Sequence, residues 1–174
     1  MMVLRHAPAL ATLSVIAFYA ASPAAADPPP SDDTNVYPVA QGHYTSVSDP
    51  GWIYFLTPTG IGGDRDGQPV TQFGCGLGPD GTVGCDAVPN PEQVGDVFAT
   101  VLPPDANQTN AGPHQPGQYD HSDMLTFTRD VDVLPAGRQL VNGDAFCLVG
   151  FQGSVSCTTG DHGFTHYSVF GTTH

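Results

Sequence analysis

The chain of 174 residues contains no lysine, and its four arginines stand against 17 acidic residues. A polypeptide so poor in cations repels phosphate backbones and anionic headgroups over a Debye length, which disfavours a role on nucleic acid or at a membrane surface. Cationic partners and divalent ions remain electrostatically allowed. Motifs that carry chemistry are missing as well: there is no Gly-x-Ser-x-Gly elbow, no His-Glu-x-x-His pair and no glycine loop shaped for phosphate. The four cysteines fall into two pairs ten residues apart, so neither the closer spacing of a zinc site nor a Cys-x-x-Cys redox motif is present. Beyond the N-terminus no run is apolar enough to cross a bilayer.

What is present begins with residues 1–26. Arg5 and His6 form a basic start, an apolar stretch follows from about Ala9 to Ala21, and Ala24-Ala25-Ala26 supplies the small residues of a cleavage site. This reads as a secretory signal peptide cut after Ala26. The apolar stretch is shorter than the roughly 20 residues of a membrane span and stops at Ser22-Pro23, and no cysteine follows it to take a lipid. Without residues 1–26 the chain keeps 148 residues, with three arginines against the 17 acids, a net charge of −14 with histidine neutral. The mature protein is expected outside the cell or in the cell envelope, as a monomer, without membrane insertion after cleavage. Residues 27–38, rich in Pro, Asp and Ser, read as a disordered leader, and residues 39–174 as a single domain.

Within residues 39–174 glycine and proline punctuate short runs rich in Val, Phe, Tyr and Thr, the pattern of an all-β domain: a small antiparallel sandwich or barrel with at most one short helix. Leu125, Phe127, Val131 and Val133 alternate with Thr126, Thr128, Asp130 and Asp132, which predicts a half-buried strand over 125–133. The run from Trp52 to Leu56 is apolar on both faces and predicts a strand covered on two sides. Alternation from Phe164 to Phe170 predicts the last strand. Residues 90–102 place Asn90 at an N-cap, Pro91 in the first turn and Val94, Val97, Phe98 and Val101 at helical spacing. Residues 103–118 read as a loop.

One pattern occurs twice. Residues 75–85 (CGLGPDGTVGC) and 147–157 (CLVGFQGSVSC) share Cys, Gly, Gly, Val and Cys at equal offsets, with Thr82 matched by Ser154. If each is a hairpin with a three-residue loop, Gly81 and Gly153 occupy the left-handed position of a type I turn with a bulge. Leu77 then faces Val83, Val149 faces Val155, and each cysteine pair stands at a non-hydrogen-bonded site, where cross-strand side chains come closest. That register predicts disulfides Cys75–Cys85 and Cys147–Cys157, two structural clamps in a pseudo-twofold repeat.

The order of Phe55-x-x-Pro58-x-Gly60, a cysteine-framed hairpin running into GPDGTVGCDAVP, then FTRDVDVLPAG, a second framed hairpin and His162-Gly163-Phe164 resembles a group of small secreted proteins of mycobacteria and related actinobacteria, over about Gly51 to Gly171. The resemblance implies export and a disulfide-clamped β domain, and nothing catalytic. Residues 61–72 and 90–104 are long for that pattern.

Two His/Asp clusters are the candidates for chemistry. Tyr119 to Asp123 contains His121 and Asp123 just before the predicted strand, and Asp161, His162 and His166 lie near the last one; brought together they would hold a divalent metal or form an acid/base pair. Taken singly, His166 shares a face with Phe164 and Phe170 and reads as a core histidine. Arg129 interrupts the apolar face of the 125–133 run, either with its stem over the core and its head in water or as an inward charge paired with an Asp or an anion. Asp64 to Gly67 (DRDG) has the opening of a calcium loop without its remaining ligands and reads as a polar turn. Asn107-Gln108-Thr109 is a glycosylation sequon. No cofactor is implied. The expected function is that of a non-catalytic binding or envelope-interaction module contacting an unidentified protein or envelope component beside Trp52, Tyr54 and the hairpins. The alternative is a small metal-dependent or hydrolase-like enzyme built on the His/Asp clusters. A protease inhibitor ranks below both, because the tip Gly78-Pro79-Asp80-Gly81 is too tight to fill an extended cleft.

Overall fold

A computed structural model describes residues 37–90 and 101–174. The predicted signal peptide, nearly all of the predicted leader and most of the predicted helix lie outside the described residues. Tyr37 and Pro38, assigned to the leader by composition, already belong to the fold: the Tyr37 ring lies 5.9 Å from that of Phe151, and Gln139 N–H donates to the Pro38 carbonyl. Two five-stranded antiparallel sheets make up the domain. The first runs in the order β1 (Ile53–Leu56), β4 (Gly74–Leu77), β5 (Val83–Cys85), β6 (Gln108–Gly112) and β7 (Gln115–Asp120). The second runs β8 (Arg138–Asn142), β9 (Ala145–Gly150), β10 (Ser154–Thr159), β11 (His162–Tyr167) and β12 (Gly171–Thr173). A small hairpin, β2 (Gly63–Arg65) with β3 (Gln68–Val70), stands apart from both. Among the described residues there is no helix.

Each large sheet is thus a five-strand meander with its disulfide between the second and third strands, so the repeat seen in the sequence is a repeat of topology. Cys75 pairs with Cys85 and Leu77 with Val83; Cys147 pairs with Cys157 and Val149 with Val155. The bridges are Cys75–Cys85 and Cys147–Cys157, with Cα separations of 4.0 and 4.1 Å, the close approach of non-hydrogen-bonded pairs. Gly81 and Gly153 have φ of 84° and 75°, where a side chain would be strained. The cysteines and valines of both hairpins meet face to face with Phe55, Leu77, Leu134, Leu140 and Phe164 in one core.

The outward face of the first hairpin explains where its copy departs from it. Gly76 and Gly84 pair across β4 and β5, and the Phe127 ring lies against both, so close that a Cβ on Gly84 would collide with it. Tyr54 lies over Gly76 and Trp52 over Gly78. The equivalents of Gly76 and Gly84 in the second hairpin are Leu148 and Ser156, and the aromatic cover belongs to the first sheet.

Three expectations need correction. Residues 125–133 form no strand beyond a single bridge from Val133 to Leu56, and Leu125 and Val133 are exposed. Their backbone donors are taken elsewhere: the buried Asp86 carboxylate accepts from the N–H groups of Thr126 (2.9 Å), Phe127 (2.8 Å) and Thr128 (2.8 Å) and from the Thr128 hydroxyl (2.8 Å). One carboxylate therefore does for this segment what a neighbouring strand would have done. Residues 103–118 contain β6 and β7 rather than a loop. Their polar side chains are bonded inside the fold, Thr109 to the Ala87 carbonyl and Gln108 to Thr126, and Pro116 is tolerated because β7 is an edge strand. The run from Phe164 to Phe170 leaves the sheet after Tyr167, where Tyr167 and Phe170 stack and Tyr167 N–H donates to the Phe170 carbonyl; β12 follows as the true last strand.

Candidate functional site

The two halves differ most in their connections. In the second half the first two strands are joined through Gly143-Asp144 and the third and fourth through Gly160-Asp161. In the first half the same joints are residues 57–73, which carry β2 and β3, and residues 86–107. These insertions meet each other: Asp64 and Val88 exchange two backbone hydrogen bonds of 2.7 and 3.0 Å. Together with His121, which follows β7, the described parts of these insertions, residues 57–73, 86–90 and 101–107, line a cleft of about 540 Å³ whose wall includes Asp64, Asp66, Pro69, Val88, Leu102 and Asp105.

Turn chemistry builds its walls. Asp66 and Gly67 have φ of 57° and 73°, the pair of positive angles that an Asp-Gly hairpin turn requires, and Gly67 N–H donates to Asp64 Oδ1 at 2.9 Å. DRDG is accordingly a turn, as its sequence suggested. On the facing wall Ala106 N–H donates to the Pro103 carbonyl, which puts Pro104 and Asp105 at the two centres of a turn. Asp105 has φ of 60°, and its carbonyl accepts a 2.8 Å hydrogen bond from His121 Nδ1.

Behind the cleft a polar network fixes the segment that follows β7. The Arg65 guanidinium donates to the carbonyls of Asn107 (3.2 Å), Ser122 (3.1 Å) and Met124 (3.1 Å) and lies 3.5 Å from the Asp66 carboxylate. Asn107 is 1% exposed; its amide donates to Asp66 Oδ1 (2.6 Å) and the Ser122 carbonyl (3.0 Å), and its oxygen accepts from Ser122 N–H (2.9 Å). The sequon asparagine is therefore a structural strut with no free amide hydrogen. So held, the loop turns Met124 (76% exposed) and Leu125 (53%) into solvent.

The sequence-predicted residues divide into separate places. His121 and Asp123 meet at the cleft, Nε2 to Oδ1 at 3.1 Å. With the Asp105 carbonyl on the other ring nitrogen, His121 faces two acceptors, which holds its proton and raises its pKa; the Asp105 bond is the larger cause and the Asp123 bond the next. In its protonated form the ring has both N–H groups engaged, by the Asp105 carbonyl and the Asp123 carboxylate. His166 is elsewhere, 1% exposed, its ring edge-on to Phe73 at 4.8 Å, Nε2 2.9 Å from the Gly62 carbonyl and Nδ1 without a partner. Burial lowers its pKa to about 4. His162 begins the same strand, about 13 Å away at the usual rise per residue, and is half-buried. Among the described residues no three His, Cys, Asp or Glu side chains converge to hold a metal ion.

Trp52, Tyr54 and Arg129 form a third group. Trp52 and Tyr54 stack at 5.5 Å, and the Arg129 guanidinium lies 4.7 Å over the Tyr54 ring while its Nε donates to Asp49 at 2.8 Å. Arg129 thus takes the paired arrangement, with its Nη1 donating to the carbonyls of Thr126 and Thr128, and its hydrogen bond lowers the Asp49 pKa. Tyr54 is buried beneath it, leaving Trp52 as the partly exposed member. Sequence reasoning missed Asp86 and Asp105, and named Arg65 only within a polar turn and Asn107 only as a sequon. Their roles depend on contacts across 40 or more positions for Asp86 and Arg65, which no local pattern carries. No protein-family model, characterised protein or solved structure matches the chain.

Proposed function

We propose that the chain is an exported, non-catalytic binding module that works outside the cell or on its envelope, recognising a protein or envelope component as a monomer. The observation that carries this reading is the use of its chemistry-bearing side chains as struts. Asp86, Arg65, Asn107 and Arg129 are all bonded inside the fold, His166 is sealed in the core, and what they hold still is a cleft with a projecting loop. Two buried disulfides fit an oxidising compartment, and no helix among the described residues is long and apolar enough to cross a membrane. The signal peptide of residues 1–26 and the resemblance to secreted actinobacterial proteins support export.

The test is retention of the purified mature protein on washed envelope fractions and immobilised culture-filtrate proteins of an actinobacterium. Saturable retention without turnover of ester, peptide or glycoside substrates is expected. Turnover that disappears in a His121→Ala variant would support the enzyme instead and overturn the binding reading.

A further inference from the structure

Two independent features adjoin at the mouth of the cleft. One is apolar: Met124 and Leu125 stand side by side in water on a loop whose backbone is fastened by Arg65, Asn107 and the Ser122 hydroxyl, which donates to the Met124 carbonyl at 2.8 Å. Core packing does not explain them, since neither side chain is covered. A loop already ordered loses little entropy when a partner lands on it, and methionine adapts its shape to varied apolar groups. The other feature is charge. Asp64, Asp66 and Asp105 line the cleft and Asp123 projects at its rim, 96% exposed. The nearby Arg65, with 13% of its side chain exposed, is turned inward to three carbonyls and pairs with Asp66 alone among these acids, which leaves the cleft net acidic.

We propose that this surface docks a basic, apolar-anchored segment of another protein, with lysine or arginine side chains entering the cleft and a large aliphatic or aromatic side chain covering Met124 and Leu125. Charge complementarity selects this occupant. A neutral or acidic segment would desolvate carboxylates compensated only by Gly67 N–H at Asp64, by Asn107 and Arg65 at Asp66 and by His121 at Asp123, whereas a cationic one adds charge partners as the apolar contact forms. The net charge of −13 on the whole chain adds long-range attraction for the same partner. This inference rests on the binding reading above and names the chemistry of the partner.

The test is fluorescence anisotropy with a labelled short peptide of alternating lysine and leucine, against a glutamate–leucine peptide of equal length, using the disulfide-intact protein. Saturable binding of the lysine peptide is expected, weakened about tenfold or more as salt rises from about 50 to 500 mM. Met124→Ser with Leu125→Ser, both at exposed positions, should weaken it about tenfold. Asp105→Asn with Asp123→Asn should weaken it several-fold at low salt and little at high salt; Asn suits the positive φ at residue 105 and keeps a hydrogen-bonding oxygen at residue 123. Phe151→Ser, at an exposed apolar residue on the tip of the β9–β10 hairpin, should leave it unchanged. Equal binding of the acidic peptide, or an equal loss from Phe151→Ser, overturns the proposal. Unchanged envelope retention in the Met124/Leu125 double variant overturns this site while the binding reading stands. Absence of retention for the native protein, with substrate turnover, removes the binding reading itself.

Discussion

Acidification should weaken this fold through one side chain, His166. Its imidazole is sealed against Phe73 with Nε2 on the Gly62 carbonyl and Nδ1 unpartnered, so a proton added to the ring brings a charge into the core with no acceptor for it. Burial lowers its pKa from the ordinary 6.5 to about 4. Above about pH 6.5 the ring is neutral in both states and this side chain takes no stability from the fold. As pH falls from 6.5 to 4 the unfolded chain takes up a proton that the folded chain refuses, and stability declines; below 4 both states are protonated and this loss is complete. At about 1.36 kcal/mol per pH unit the gap amounts to about 3 kcal/mol, with most of the slope between pH 6 and 4.5. Asp49, whose pKa is lowered by Arg129, acts at lower pH and does not contribute there. Urea unfolding followed by the fluorescence of the single tryptophan, Trp52, at steps from pH 7 to 4.5 measures this, with His166→Leu as comparison. The variant loses the Gly62 bond and is less stable at pH 7, but it should lack this decline; His121, whose raised pKa adds stability as pH falls, contributes equally to both proteins and cancels in the comparison. Equal slopes in the two proteins would refute the argument, since the native slope would then come from other groups.

Other consequences follow from particular contacts. Asp86→Ala strands three backbone donors and the Thr128 hydroxyl and should cost about 3–5 kcal/mol in urea unfolding, whereas Asp86→Asn keeps three of the four bonds on one oxygen and should cost about half as much. Equal losses in the two variants would mean that the carboxylate is not the anchor of residues 126–128. Gly84→Ala drives a methyl group into the Phe127 ring and should cost about 1–3 kcal/mol and alter Trp52 emission, while Ser156→Ala at the equivalent place in the second hairpin should leave emission unchanged. Produced through a eukaryotic secretory pathway, the folded protein should carry no glycan at Asn107, whose amide hydrogens are both engaged. Intact mass measured on the soluble, disulfide-bonded fraction checks this, and a glycosylated native fraction would contradict the burial.

The disulfide-clamped hairpins were legible because their determinants are local. A glycine at the left-handed turn position sets the register, and the register sets the cysteines opposite each other, all within eleven residues. The segment 125–133 failed for the opposite reason. Its alternation is genuine, since Phe127 and Val131 are buried, but a strand also needs a neighbour for its backbone, and Asp86 at 40 positions' distance had already taken those donors. The polar run 103–118 failed in the mirror sense: Gln108, Thr109 and Asn107 look like loop residues until their partners, the Ala87 carbonyl, Thr126 and Asp66, are in place. At the site, His121 with Asp123 could be read from proximity along the chain, whereas the rest of the cleft could not.

The repeat itself directs attention to that cleft. Two meanders of the same topology frame the core, and the second does so with two-residue joints at Gly143-Asp144 and Gly160-Asp161. Residues 57–73 and the described parts of 86–107, at the matching joints of the first, add Ile61, Phe73 and Ala87 to that core and also carry the walls of the cleft. Those insertions bring aspartates at positive φ to the surface and engage buried polar side chains to hold one loop, an arrangement whose desolvation and strain are costs to the fold. Those costs fall where one half departs from its twin, on the surface for which binding is proposed. The aromatic cover of Gly76 and Gly84 also belongs to the first half, but it leaves only Trp52 partly exposed, with Tyr54 and Phe127 buried beneath it. Of the two departures, the acidic cleft and its Met124–Leu125 loop are the one that faces outward, and the surface on which binding should fail first when it is altered.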